Sequence, residues 1–211
     1  MIKEKLSKVG TSKEKHKNNL RDNQNLFIME KKINFVISKE DKIRWIIEKH
    51  VQTNHQYSEY LPYEFHLRMV AQVAKDFDYL IPSEEMRESI LIAAYGHDLI
   101  EDTRVSYNDV KSILGLTVAD IIYALTNEKG KNRKERANSK YYEGILETPG
   151  AVFVKLCDRI ANVQYSKMTK SRMFEMYKKE NPEFLTSLGF PKGQSHPLEP
   201  MSKYLLNLFE D

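Results

Sequence analysis

The run Ile90-Leu91-Ile92-Ala93-Ala94-Tyr95-Gly96-His97-Asp98-Leu99-Ile100 constrains this chain more than any other stretch. It is apolar on nearly every side at helical pitch, so a helix built from it belongs inside a core and not on a surface. Yet it carries an imidazole and a carboxylate side by side, His97 and Asp98, and is followed by Glu101-Asp102-Thr103. Such groups are costly in apolar surroundings unless they are hydrogen-bonded, paired or bound to a cation. On a continuous helix, neighbouring residues point about 100° apart, so His97 and Asp98 can grip one ion from its side. Glu101 follows His97 by four residues and Asp98 by three, which puts it on the same face. Gly96 withdraws a side chain where another group has to approach. These residues form a candidate site whose remaining ligands must come from elsewhere.

Helical spacing recurs along the chain. Ile43, Ile46, Ile47 and Val51 follow Ser38, a plausible N-cap. Residues 54–62 read as a loop, and residues 63–76 as a helix with Leu67, Val70, Ala71 and Ala74 on one stripe. Pro82-Ser83-Glu84-Glu85 predicts a helix start capped by Ser83, and that helix is expected to run to about Ile100 with the His-Asp pair on its last turn. Further helices are expected over 106–114, closed by Gly115, then 118–126, 135–146, 151–168, 171–188 and 200–209, with a charged loop over 128–134. No stretch alternates over a strand length. The pattern predicts an all-α protein, a compact orthogonal helical bundle.

A single cysteine, Cys157, excludes an internal disulfide and suits a reducing compartment; the expected location is cytoplasmic. Cys157 sits in an apolar helix, where it reads as a packing residue and not a nucleophile. No run of 18 apolar residues is present, so no membrane span is expected, and the N-terminus lacks the apolar core of a secretory signal. The net charge of +3 is unevenly spread: residues 1–32 hold nine Lys/Arg against four acids, and the remainder carries −2. The basicity therefore belongs to residues 1–32, expected to be a flexible extension, and argues for no nucleic-acid surface on the body. A core over 33–170 and C-terminal helices over 171–211 complete the expected organisation.

Two more apolar helices offer ligand-type side chains. His66 lies among Phe65, Leu67 and Met69, and Asp158 lies between Cys157 and Arg159. Alone, His66 reads as a core histidine, and Asp158 as a partner of Arg159 or Lys155. Together with His97 and Asp98 they offer two imidazoles and two carboxylates from three helices. That mixed set suits Mn²⁺, Zn²⁺, Fe²⁺ or Mg²⁺ with positions left open for water and substrate. Glu101 and Asp102 are placed to orient a metal-activated water and move its proton.

The pattern His…His-Asp…Asp resembles the HD superfamily of metal-dependent phosphohydrolases. Pro62-Tyr63-Glu64-Phe65-His66 looks like the Pro-Tyr-x-x-His motif of the RelA/SpoT-type alarmone hydrolase domain. Residues Gly96 to Thr103 look like its His-Asp-x-x-Glu-Asp-Thr signature, and Val154 to Asn162 like its Lys-Leu-Ala-Asp-Arg-x-x-Asn helix. The resemblance covers roughly residues 38–170 and is that of a stand-alone small hydrolase.

The resemblance implies a Mn²⁺-dependent enzyme that removes the 3′-pyrophosphate of (p)ppGpp. His66, His97, Asp98 and Asp158 would be its ligands, Glu101 and Asp102 its catalytic acids, and Asn162 would face the nucleotide. Lys129, Lys131, Arg133, Lys134 and Arg136 offer positive charge for phosphates. The family carries an Arg-Lys element before its Pro-Tyr-x-x-His motif; here Asn54-His55-Gln56-Tyr57 stands in its place, and Tyr57 or His55 could stack on a base. Two alternatives stay open: phosphatase action on NADPH or a nucleoside phosphate, and a catalytically silent nucleotide sensor. Glu101 and Asp102 argue against the sensor, which needs no proton shuttle.

Overall fold

The computed structural model describes residues 37–127, 130–190 and 195–210. The N-terminal extension expected over 1–32, and Lys129 with it, lie outside the described residues. Helix α1 (Lys39–Gln52) leads into a small antiparallel hairpin, β1 (Gln56–Ser58) and β2 (Leu61–Pro62). Then come α2 (Glu64–Asp76), α3 (Glu84–Gly96), α4 (Leu99–Asp102), α5 (Tyr107–Leu114), α6 (Leu116–Leu125), α7 (Arg133–Arg136), α8 (Ser139–Glu147), α9 (Ala151–Met168), α10 (Met173–Ser187) and α11 (Glu199–Asn207).

Helix α9 is the axis of the bundle. It packs against α2, α3, α6, α8, α10 and α11. Its sequence explains why: Phe153, Val154, Leu156, Cys157, Ile160, Ala161 and Val163 are all buried, on more than one side of the helix. Each large apolar side chain so enclosed contributes about 1.5–3 kcal/mol. Helices α2 and α3 bring Leu67, Val70, Ala71, Ile90, Ile92 and Ala93 into the same core. On the other side of α9, Arg159 lies over the rings of Tyr177 and Phe184 of α10, 4.8 and 4.1 Å from their centroids, with Glu180 at 3.4 Å.

Several helix ends follow local sequence rules. Ser83 caps α3 by accepting a hydrogen bond from the Met86 amide. Ser106 and Asp109 form a reciprocal capping box on α5.

Three sequence expectations need correction. The helix expected to continue to Ile100 stops at Gly96, and His97-Asp98 form a turn before α4. The His97 ring bonds the Ala94 carbonyl at 2.9 Å, the acceptor that a continuing helix offers to the Asp98 amide. Residues 54–62, expected as a loop, contain the hairpin; its strands are too short to show alternation, and the Tyr63 amide closes it by donating to the His55 carbonyl. The helix expected over 135–146 is split, because Asn138 caps a new start by accepting from the Tyr141 amide at 3.1 Å.

Candidate active site

His66 of α2, His97 of the turn after α3 and Asp158 of α9 converge, with one donor-type atom from each lying within 4.8 Å of the others. The two imidazole Nε2 atoms are 3.3 Å apart. Asp158 Oδ1 lies 3.4 Å from His66 Nε2 and 3.7 Å from His97 Nε2. Asp98 joins through His97, its Oδ2 lying 2.9 Å from His97 Nε2. Both imidazoles are buried and both carboxylates are largely so.

The donor set fits a cation. The His97 Nδ1–H donates to the Ala94 carbonyl, which leaves Nε2 facing His66 Nε2 and two carboxylates. A lone pair cannot rest against carboxylate oxygens without a proton or a metal ion between them. In the metal-free protein a proton supplies that charge. Burial works against the imidazolium, but Asp98 and Asp158 outweigh it and raise the His97 pKa to about 9. A divalent cation at this point would satisfy the same atoms, with His97 oriented by its carbonyl partner in the manner usual for metal-bound histidine.

Outer partners hold the carboxylates. Asp98 accepts a hydrogen bond from the Tyr63 hydroxyl. Asp158 accepts from Asn162 Nδ2 at 2.5 Å and faces Lys155 Nζ at 3.2 Å. Burial opposes the Asp158 charge, yet Lys155 and the two histidines hold its carboxyl well below the usual range. The other face of Asn162 accepts from the Tyr57 hydroxyl at 3.0 Å. Tyr57 stacks on His66, with ring centroids 4.7 Å apart and 8° between planes. The hairpin therefore serves to lay Tyr57 over a ligand-type imidazole.

Above these residues lies a cavity of about 280 Å³, lined by Tyr57, Tyr63, Glu101, Asp102, Asn127 and Arg136 among others. Glu101 is gripped by Asn127, whose amide nitrogen donates at 3.2 Å and whose Nδ2 donates at 2.8–2.9 Å. Arg136 Nη1 approaches Glu101 at 4.0 Å from an exposed position. Asp102 is half-buried, and desolvation together with Asp98 and Glu101 raises its pKa to about 7. Its carboxyl thus gains or loses a proton near neutrality.

Of the residues singled out in sequence, His66, His97 and Asp158 meet around one point, with Asp98 beside His97. Glu101, Asp102, Asn162, Tyr57 and Arg136 line the cavity over them. Two contributors escaped sequence reasoning, Asn127 and His50. Asn127, after the Leu125-Thr126 pair, holds Glu101; His50 sits behind Tyr63 together with His55, each in ring contact with it and with each other. His50 had one usable signal, a titratable ring on the buried stripe of α1.

No family model matches the chain. It is 27% identical over 124 residues to the guanosine-3′,5′-bis(diphosphate) 3′-pyrophosphohydrolase MESH1 of Danio rerio, across 59% of this chain and 66% of that relative. It is 30% identical over 77 residues to the Drosophila melanogaster MESH1, across 36% of this chain and 43% of that protein. The pyrophosphohydrolase of Aquifex aeolicus is 30% identical over 111 residues, which span 51% of this chain and 16% of that longer protein. The chain thus spans less than two thirds of each of these relatives. A solved structure of a metazoan ortholog of SpoT, described as hydrolyzing ppGpp, superposes with a TM-score of 0.59 at 20% identity, over 80% of this chain and 93% of that one. Its likeness establishes the helical fold. The chain is thus similar, in sequence and in helical fold, to proteins named as (p)ppGpp 3′-pyrophosphohydrolases.

Proposed function

We propose that this chain is a divalent-metal phosphohydrolase that removes the 3′-pyrophosphate of (p)ppGpp. The observation that carries the proposal is the meeting of His66, His97 and Asp158 within 4.8 Å beneath a cavity that also holds Glu101 and Asp102. His66, His97, Asp98 and Asp158 would hold the ion, Mn²⁺ first, with Zn²⁺, Fe²⁺ and Mg²⁺ as alternatives. When bound, it supplies a Lewis acid and lowers the pKa of water.

The chain's own residues supply the rest. Asp102, half-buried in the cavity wall, takes the proton of the attacking water and returns it to the departing nucleotide oxygen. Glu101, fixed by two donors of Asn127, orients that water. Arg136, at the exposed rim, and Lys155, at the buried floor, offset phosphate charge. Asn162 and Tyr57 wall the cavity on the side where the nucleotide would lie. We place the protein in the cytoplasm, where Cys157, fully buried, stays reduced. No described helix is long and apolar enough to cross a membrane.

The test is purified protein with Mn²⁺ assayed on ppGpp, NADPH and nucleoside phosphates, beside Asp98→Ala and Glu101→Ala. Turnover of ppGpp is expected. Asp98→Ala should lose metal and activity, whereas Glu101→Ala should keep metal and lose about 10²–10⁴-fold in rate. Tight nucleotide binding without turnover by the unaltered protein would instead make it a sensor. A second reading, another phosphorylated nucleotide as substrate, is favoured by one observation. The expected Arg-Lys position holds His55, which is stacked on Tyr63 with centroids 3.7 Å apart. NADPH turnover exceeding that of ppGpp would select it.

A further inference from the structure

The imidazoles of His50 and His55 form a chain that ends at Asp102. His50 Nδ1 lies 3.2 Å from His55 Nδ1. His55 Nε2 faces Asp102 Oδ2 at 3.7 Å, just beyond direct hydrogen-bond length. His50 is 1% exposed, and its Nε2 is buried with no hydrogen-bond partner.

That orphan atom assigns the protons. A buried N–H without an acceptor is rarer in folded proteins than an acceptor without a donor. His50 therefore carries its proton on Nδ1 and donates it to His55 Nδ1. His55 Nδ1 is then the acceptor, and the His55 proton must sit on Nε2, the atom that faces Asp102. Stacking on Tyr63 and on His50 fixes the plane of the His55 ring, which leaves rotation of the pair as the remaining freedom. Burial lowers the pKa of both rings, so both are neutral at pH 7 and the tautomers persist.

We propose that His55 is a positioning residue for Asp102: its Nε2–H, locked in that tautomer by His50, aims the carboxylate at the attacking water. The proposal rests on the hydrolase reading above. It also gives a role to His55, which replaces the basic element expected at this place. An arginine there would carry a fixed charge, whereas a neutral imidazole orients the Asp102 carboxylate without adding one.

Two experiments on the full chain test it, and they fail separately. Long-range ¹H–¹⁵N correlation spectra of the metal-free protein at pH 7.5 report histidine tautomers with no need of activity. His50 protonated on Nδ1 and His55 on Nε2 are expected; the reverse pair overturns the proposal. In Mn²⁺-loaded protein with ppGpp, His55→Asn, whose amide occupies the Nδ1 position, should lower kcat about ten- to hundredfold with KM and bound metal unchanged, the size typical of losing an outer partner. His55→Gln, whose amide reaches the Nε2 position, should recover most of that loss. Equal rates for the two variants, or an effect on KM alone, would overturn the proposal. If the unaltered chain hydrolyses none of the nucleotides in the panel above, the hydrolase reading fails, while the spectra still decide the tautomer chain.

Discussion

His50 shows how one buried side chain couples proton binding to folding. Burial is the largest influence on it and lowers its pKa from 6.5 to about 4, with His55, His97 and His66 adding repulsion and Asp98 opposing them. The unfolded chain therefore takes up a proton at this position before the folded one does. His50 contributes stability that is present above pH 6.5 and is lost as the pH falls toward 4. Asp102 works in the opposite sense, because its folded pKa is raised, but it does so equally in a variant that keeps it. His50→Asn preserves a donor toward His55 and cannot titrate. Denaturant unfolding of the metal-free proteins should show the variant gaining on the natural chain by up to about 3 kcal/mol between pH 7 and pH 4. Parallel stability curves for the two proteins would contradict this.

Two junctions between elements show where local sequence decides and where it does not. Gly150 caps the start of α9 at φ 88°, and an added Cβ would meet Ile121 and Ile90 at 3.2 Å. Gly150→Ala should lower stability by about 1–3 kcal/mol, from the left-handed backbone and overpacking together. The denaturation midpoint measures this, and an unchanged midpoint would show that the turn can relax. At Gly96 an added Cβ would come within 2.7 Å of Ile122 Cδ1, so α6 packs tightly against α3 where the chain turns toward the ligand-type residues. The apolar periods of α2, α3 and α9 and the Ser83 and Ser106 caps were legible in sequence because their causes lie within one turn of helix. The turn at His97-Asp98 was not, because an unbroken apolar run gives no sign that a histidine side chain will compete for a backbone carbonyl.

From Lys39 onward the molecule is one compact unit, and its candidate metal centre ties α2, the α3–α4 turn and α9 together. A ligand that binds only the folded state stabilises it in proportion to its excess over Kd. Mn²⁺ at a hundred times its Kd should add about 2.7 kcal/mol. For a domain of this size that raises the Tm by about 5–10 °C. Calorimetry with and without chelator measures the shift, and Asp158→Ala should abolish it. An identical Tm in both conditions would show that His66, His97 and Asp158 hold no ion.

The sequence by itself determined the all-α class and most of the helices, the ligand-type residues and the presence of Glu101 and Asp102, because helical period and side-chain chemistry are local properties. It also marked His66, His97, Asp98 and Asp158 as candidates for a single ion, though it could not measure their separation. Only the tertiary structure decided that α2, the α3–α4 turn and α9 cross at one point, that Asn127 reaches back to Glu101, and that His50 and His55 line up behind Asp102. Those pairings join residues far apart in the chain, and their geometry is set by how the helices pack, a quantity that no single stretch of sequence contains.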